Sequence, residues 1–213
     1  MYITKYKFVP PYLIRMLYPE VLWETSCKKV LLTIDDSPSP DTLRVLDLLD
    51  THAIKAAFFV NIPKTEKNRG AVREIIKRGH TLANHGMTHK KLRSVSAEVL
   101  QDQVVSSKLI LEEITGEEVR FFRPPYGAFD FATYDAIRDS GQRLVMWTLL
   151  TGDYKGDIKL STTNVKKYLG KNSIVVMHDN HKSKGVFEDT LTVLVQTVNK
   201  KEFVLGAPEE CLR

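Results

Sequence analysis

The sequence predicts an α/β fold, with parallel strands joined by helices and rolled into a βα barrel of about seven strands within a single domain. Three observations carry that expectation. Short apolar runs alternate with amphipathic segments from residue 29 to the end of the chain, the signature of strand and helix in alternation. A chain of 213 residues with 43% hydrophobic content can bury one substantial core. The polar motifs fall directly after the apolar runs, where a barrel built from βα units gathers its reactive groups.

The strand candidates, in order, are KVLLTI ending at Ile34, AAFFV ending at Val60, TLA after His80, RFFR around Phe122, LVMWTL ending at Leu149, SIVVM ending at Met177 and FVL near Leu205. Ser39 followed by Pro40 reads as a helix cap with proline at the first helical position, opening a helix whose Leu43, Leu46 and Leu49 share a face. The longest helix is expected to begin near Ser96, to carry Leu100, Val104, Leu111 and Ile114 at three-four spacing, and to end at Gly116. No repeat, low-complexity tract or Gly/Ser linker interrupts the series. The expected organisation is therefore an apolar N-terminal arm over residues 1–27 and a catalytic domain over 28–213.

The 31 basic and 26 acidic side chains give a formal charge of +5, dispersed in short runs as on a solvated surface. No Arg-rich stripe interleaved with aromatics is present, which argues against a nucleic-acid partner. Cys27 and Cys211 have no C-x-x-C spacing and read as ordinary reduced thiols. The arm, FVPPYLIRMLYPEVLW, is broken by Pro10, Pro11, Arg15, Pro19 and Glu20, too often for a membrane-spanning helix, and lacks the pattern of a cleaved signal peptide. It is expected to pack on the domain, with a membrane surface as the alternative resting place. The implied location is cytoplasmic or peripherally membrane-attached.

Four segments carry chemistry. In TIDDSP, Asp35 and Asp36 close the first strand. Alone such a pair is a helix cap or a solvated turn, but two adjacent carboxylates ionise together readily beside a cation, which allows one to be a ligand and the other a base. In NHGMTH, His85 and His89 stand four apart, the spacing of one face of a helical turn, with Asn84 placed to brace a ring nitrogen. With a carboxylate from another segment they form an N/O site suited to Zn²⁺ or a similar divalent ion, with a position left for water. His52, His80 and His181 read as structural.

In RPPYG, two prolines and Gly127 make a rigid turn. Rigid backbone amides suit an oxyanion, and Arg123 can orient a neighbouring carboxylate. In VVMHD, His178 ends an apolar strand and is the candidate general acid, since a nearby carboxylate would keep it protonated. Asp153, in TGDY after the preceding strand, is the chosen partner.

In this order and spacing, the segments closely resemble the polysaccharide deacetylases of carbohydrate esterase family four, the NodB homology domain, over roughly residues 28 to 206. The resemblance implies a distorted (β/α) barrel that hydrolyses N-acetyl or O-acetyl groups on sugar polymers or oligosaccharides. It implies that Asp35 is the base, that Asp36, His85 and His89 hold a divalent metal (Zn²⁺, with Co²⁺ or Ni²⁺ able to use the same ligands), and that Arg123 orients the base. It also implies that the Tyr126 amide supports the oxyanion and that His178 is the acid. The implied substrate pocket is Pro124, Pro125, Trp147, Tyr154 and Val176. The chain departs from the family pattern at Ser37, where glycine is usual, at Tyr154, where tryptophan is usual, and at Val176, where leucine is usual.

Two other classes share part of this set. A mononuclear Fe(II) oxygenase uses two histidines and a carboxylate but needs neither a second aspartate nor an acid histidine. A non-catalytic carbohydrate-binding relative would keep the barrel and lose a ligand or the base, and the sequence shows no such loss.

Overall fold

The computed structural model describes residues 6–213. Seven parallel strands, β1 (Leu31–Ser37), β2 (Ala57–Val60), β3 (Thr81–Asn84), β4 (Phe121–Phe122), β5 (Arg143–Leu144), β6 (Leu149–Leu150) and β7 (Ile174–His178), form one sheet in the order β5-β4-β3-β2-β1-β7-β6. The two edge strands, β5 and β6, are consecutive in the chain, so the peptide between them must span from one edge of the sheet to the other. That short connection requires the sheet to curl. The result is a distorted (β/α) barrel in a single domain, with a seam bridged by residues 145–148.

This seam explains why LVMWTL, expected as one strand, is two. Its first residues pair with β4 and its last with β7, while Leu22 bridges Val145 in between. FVL near Leu205 is not a strand of the sheet. Leu205 makes a single bridge to Val30, because from Leu31 onward β1 is already flanked on both sides by β2 and β7.

Alternation along the strands sorts the core into two layers. Leu32 and Ile34 of β1, Phe58 and Val60 of β2, and Val175 and Met177 of β7 face the surrounding helices. Leu31, Ala57, Phe59 and Ile174 fill the barrel interior. The same parity aims Thr33, Asp35 and His178 inward, towards the C-terminal mouth.

The helices are α1 (Tyr12–Leu17), α2 (Thr42–Thr51), α3 (Ile62–Lys67), α4 (Arg69–Lys77), α5 (Ala97–Leu100), α6 (Ser107–Thr115), α7 (Phe131–Asp139), α8 (Ile158–Tyr168), α9 (Phe187–Lys200) and α10 (Pro208–Cys211). The helix expected from Ser96 to Gly116 is present as α5 and α6 joined by a π-helical stretch, Gln101–Ser106. Ser96 caps it through Val99 N, and Gly116 ends it in the left-handed conformation, φ 72°. Leu100, Val104, Leu111 and Ile114 are its buried apolar residues, as their spacing requires.

The preceding expectation for α2 needs correction. The helix begins at Thr42, its buried face is Thr42, Val45, Leu46 and Leu49, and Leu43 faces solvent. Ser39 lies ahead of the helix, whose preceding residue is Asp41; its hydroxyl accepts from Asp41 N at 3.0 Å and donates to the Asp179 carboxylate.

Before β1, Val21 and Trp23 are buried, and Phe8, Ile14 and Tyr18 pack against the same cluster. Tyr12, Leu13, Met16 and Leu17 face outward. Among the described residues no helix is long and apolar enough to cross a membrane.

Candidate active site at the mouth of the barrel

A strand alternates its side chains, so Asp35 and Asp36 would normally face opposite sides. Here the register of β1 shifts between Asp35 and Ser37, and Asp36 adopts φ 69°. This bulge turns Asp36 back to the side of Asp35. Both carboxylates consequently line one cavity of about 960 Å³, with His85, His89, Tyr126, Trp147, Tyr154 and His178.

Arg123 sits under Asp35 and is fully buried. Its Nη1 donates to Asp35 Oδ1 at 2.7 Å and to Thr33 Oγ1 at 2.7 Å. Its Nε and Nη2 donate to the carbonyls of Val145 and Met146, and its plane lies 4.0 Å over the Phe59 ring. Burial works against the guanidinium charge and lowers its pKa, with the Asp35 carboxylate opposing that fall. A buried cation with this many fixed acceptors holds Asp35 in a single orientation.

Beside Asp35, on the neighbouring strand β7, His178 Nδ1 lies 2.8 Å from Asp153 Oδ1, while the His178 backbone amide donates to Asp153 Oδ2 at 2.7 Å. Burial disfavours the imidazolium, but the charge of Asp153 and its hydrogen bond outweigh it, with help from Asp35 and Asp36. The His178 pKa is pushed up to about 9. Asp153 is itself fixed by the Thr151 hydroxyl and the Tyr154 amide. Tyr154 packs its ring against His178 at 5.0 Å.

Ligand atoms of Asp36, His85 and His89 all lie within 4.8 Å of one another. The histidines do not share a helical face. They lie on the loop after β3, bent back by Gly86 at φ 82° and by His89 itself at φ 47°, which brings the two rings to 5.1 Å. Nor does Asn84 brace a ring. It is buried against Ser107 and Val104 and accepts from Gly86 N, shaping the loop instead. The brace on His85 is the Arg123 carbonyl, 2.7 Å from Nδ1, and a proton on Nδ1 leaves Nε2 for a cation.

His89 Nε2 is 3.0 Å from Asp36 Oδ1. Burial would raise the Asp36 pKa, but the bond from His89 and the nearby His178, His85 and His89 hold it well below the usual carboxylate range. Two imidazoles and one carboxylate in this compass fit a borderline-soft divalent ion with a coordination position to spare.

The RPPYG turn places Tyr126 at φ 61°, with its ring 4.9 Å from His89. Gly127 is required beside it, since a Cβ there would stand 2.6 Å from Trp147 Cη2. Pro124 and Pro125 are buried behind the turn and do not line the cavity. Val176 is likewise fully buried in β7, and Leu150 of the neighbouring strand lines the cavity in its stead. Trp147 and Tyr154 line the cavity. His181, read as structural, lies at the mouth, whereas His80 is buried and has its pKa lowered to about 4, chiefly by desolvation.

Several contributors escaped the sequence reading. Asn180 Nδ2 donates to Asp36 Oδ2 at 2.8 Å, and Lys64 donates to the Asp36 carbonyl. Asp179 is buried and accepts hydroxyl bonds from Ser37, Ser39 and Thr42, while its amide donates to the Asp35 carbonyl at 2.9 Å. Ser37, the departure from glycine, therefore helps tie the Asp35–Asp36 bulge to the end of β7. Asn180 stands two residues beyond His178, the last residue of β7, and that position was its available signal. Lys64 lies on α3 and gave none.

Fold and site together place the chain among the parallel α/β barrels with a candidate cation site at the strand ends. It belongs to the polysaccharide deacetylase family, whose profile matches residues 23–145. The peptidoglycan-N-acetylglucosamine deacetylase PgdA of Listeria monocytogenes is 32% identical over 174 residues, covering 81% of this chain and 37% of the relative. The chain thus spans little more than a third of that protein's length.

Among solved structures, the Bc1960 peptidoglycan N-acetylglucosamine deacetylase, in complex with an N-oxidanyl-benzamide, matches with a TM-score of 0.86 and 25% identity, covering 95% of this chain and 97% of that one. A mutant of BA3943, a pseudoenzyme of carbohydrate esterase family four with restored enzymatic activity, matches with a TM-score of 0.82 and 26% identity over 91% of this chain and 71% of its own.

Proposed function

We propose that the protein is a metal-dependent carbohydrate deacetylase that removes N-acetyl groups, with O-acetyl groups as the secondary substrate, from a polymer or oligosaccharide of the peptidoglycan or chitooligosaccharide type. The observation that carries this reading is that Asp35, paired with Arg123, and His178, paired with Asp153, line one cavity with the Asp36–His85–His89 cluster. The names of the relatives support the substrate class. Likeness of fold alone does not support activity, because the family includes a pseudoenzyme, so the reading rests on the residues.

Asp36, His85 and His89 are the residues to hold the cation, Zn²⁺ by ligand type. A cation held there would supply Lewis acidity and lower the pKa of a water towards about 7. Asp35, held in place by Arg123, takes a proton from the attacking water. The Tyr126 backbone amide, fixed by the flanking prolines, donates to the oxygen that becomes negative, a type of contact whose loss costs about 3 kcal/mol. His178, kept protonated by Asp153, gives its proton to the departing amine. Water and the acetamide become acetate and a free amino sugar. Trp147, Leu150 and Tyr154 offer an apolar wall for the acetyl methyl.

The test is acetate release from N-acetylglucosamine oligomers by the cation-loaded protein. Release that ends with Asp35→Asn supports the reading. No release from the loaded wild type at any pH between about 5 and 10 would assign the chain to the non-catalytic members, while product formation that consumes oxygen would assign it to the oxygenases.

A further inference from the structure

Cys27 and Cys211, 184 residues apart in the chain, place their sulfurs 3.0 Å apart. Neighbouring contacts hold them there. Ser26 N donates to the Cys211 carbonyl at 3.1 Å, and Lys29 pairs with Glu210 at 2.9 Å. Gly206 is required for the approach, since a Cβ there would meet Cys211 Sγ at 2.5 Å.

The pair lies at the end of the barrel opposite the site. Cys211 and Leu212 pack with Leu31 and Ile174 inside the barrel floor. Glu209 accepts from Thr81 at the start of β3, and the Leu212 carbonyl accepts from Arg143 at the start of β5.

We propose that Cys27 and Cys211 are a disulfide-forming pair, oxidised by exchange with a small-molecule disulfide, and that the bond clasps the segment before β1 to α10 across the barrel floor. The move from 3.0 Å to the roughly 2.05 Å of a disulfide is within the reach of side-chain rotation. Cys27 is half-buried and Cys211 fully buried, so the external disulfide meets Cys27 first. The Cys27 thiolate attacks it, forming a mixed disulfide and expelling one small thiolate. Cys211 then loses its proton and its sulfur attacks Cys27 Sγ, expelling the second. Two protein thiols and one small disulfide become one protein disulfide and two small thiols. Burial raises the Cys211 thiol pKa and so disfavours the thiolate this second step uses, while the 3.0 Å approach of the sulfurs favours the attack. The clasp follows the redox state of its surroundings and needs no contribution from the catalytic groups.

The experiment incubates the folded protein with oxidised glutathione, then maps its peptides without reduction and records the thermal midpoint. The expected result is a Cys27–Cys211 linked peptide, formed at a rate independent of protein dilution. The midpoint should rise by roughly 5–15 °C for a closed loop of this length, return with dithiothreitol, and not rise in Cys27→Ser. Reduced wild type is the reference for folding. Thiols that stay open to alkylation, a product that stops at a glutathione adduct, a link between two chains, or a link that leaves the midpoint unmoved would each overturn the proposal. None of these readouts uses deacetylation, so the clasp and the proposed function fail separately.

Discussion

Two ion pairs flank the cavity and run in opposite senses. On one side a buried arginine steers a carboxylate that faces the cavity. On the other, a buried aspartate steers a histidine that faces it. In each pair the member that never meets substrate is the more deeply buried, with Arg123 and Asp153 both fully enclosed. Arg123 donates to the surrounding backbone carbonyls, and Asp153 accepts from a hydroxyl and a backbone amide. The difference lies in the charge each imposes. Arginine sets a positive charge beside Asp35, whereas Asp153 sets a negative one beside His178 and lifts its affinity for a proton. A single arrangement, a hidden charge behind an accessible partner, thus serves both the base and the acid of the proposed reaction.

The strongest way to break this contrast is to remove the base. Asp35→Asn keeps the shape and the Arg123 contact but cannot take a proton, so turnover should fall by roughly 10²–10⁴-fold with cation binding retained. Cation content by metal analysis, measured beside acetate release, checks both halves, and near-native turnover would refute the role of Asp35.

Disabling the hidden charge on each side sharpens the comparison. Arg123→Met leaves Asp35 buried and unpaired, a loss of about 3–5 kcal/mol in stability, readable by urea denaturation. Arg123→Lys restores the charge without the planar fork and should recover part of the stability but little of kcat. Asp153→Asn acts differently. With a folded pKa of about 9 against about 6.5 unfolded, the protonated His178 contributes stability that is fully present below the unfolded value and lost as pH rises through the folded one. Wild-type turnover should therefore decline as pH rises through about 9. In Asp153→Asn, with burial no longer opposed, the decline should move to neutral pH or below, giving about a tenfold or greater loss at pH 8. A pH–rate profile with an unmoved alkaline limb would show that Asp153 does not govern the acid.

A smaller effect is expected where the two halves meet. Asn180 orients Asp36 from the β7 side, so Asn180→Ala should weaken cation affinity by about 10–100-fold, the usual scale for a residue that braces a metal ligand. Competition with a chromogenic chelator measures it. Unchanged affinity would make Asn180 only a lining residue.

The sheet was legible in the sequence wherever a strand is fully enclosed. β1, β2 and β7 are apolar on both faces and stand out as continuous runs. The seam was not, because an apolar run crossing from one sheet edge to the other has the same composition as a strand pairing along its whole length. The bulge at Asp36 was hidden for a related reason. A left-handed aspartate leaves no compositional mark, yet without it the two adjacent carboxylates could not share a cavity. His85 and His89 were found by spacing, but the helix inferred from that spacing was wrong, since a bent loop brings residues four apart together equally well. Asp179 and Asn180 act through bonds to residues more than a hundred positions away, and local pattern carries no trace of such partners.

The most direct test of the account is acetate release from an N-acetylglucosamine oligomer by the Zn²⁺-loaded protein, run in parallel with Asp35→Asn at equal cation content. The account predicts stoichiometric acetate and free amine from the wild type and a loss of at least about a hundredfold in the variant. Equal release from both, or none from a wild type that holds its cation, would contradict it.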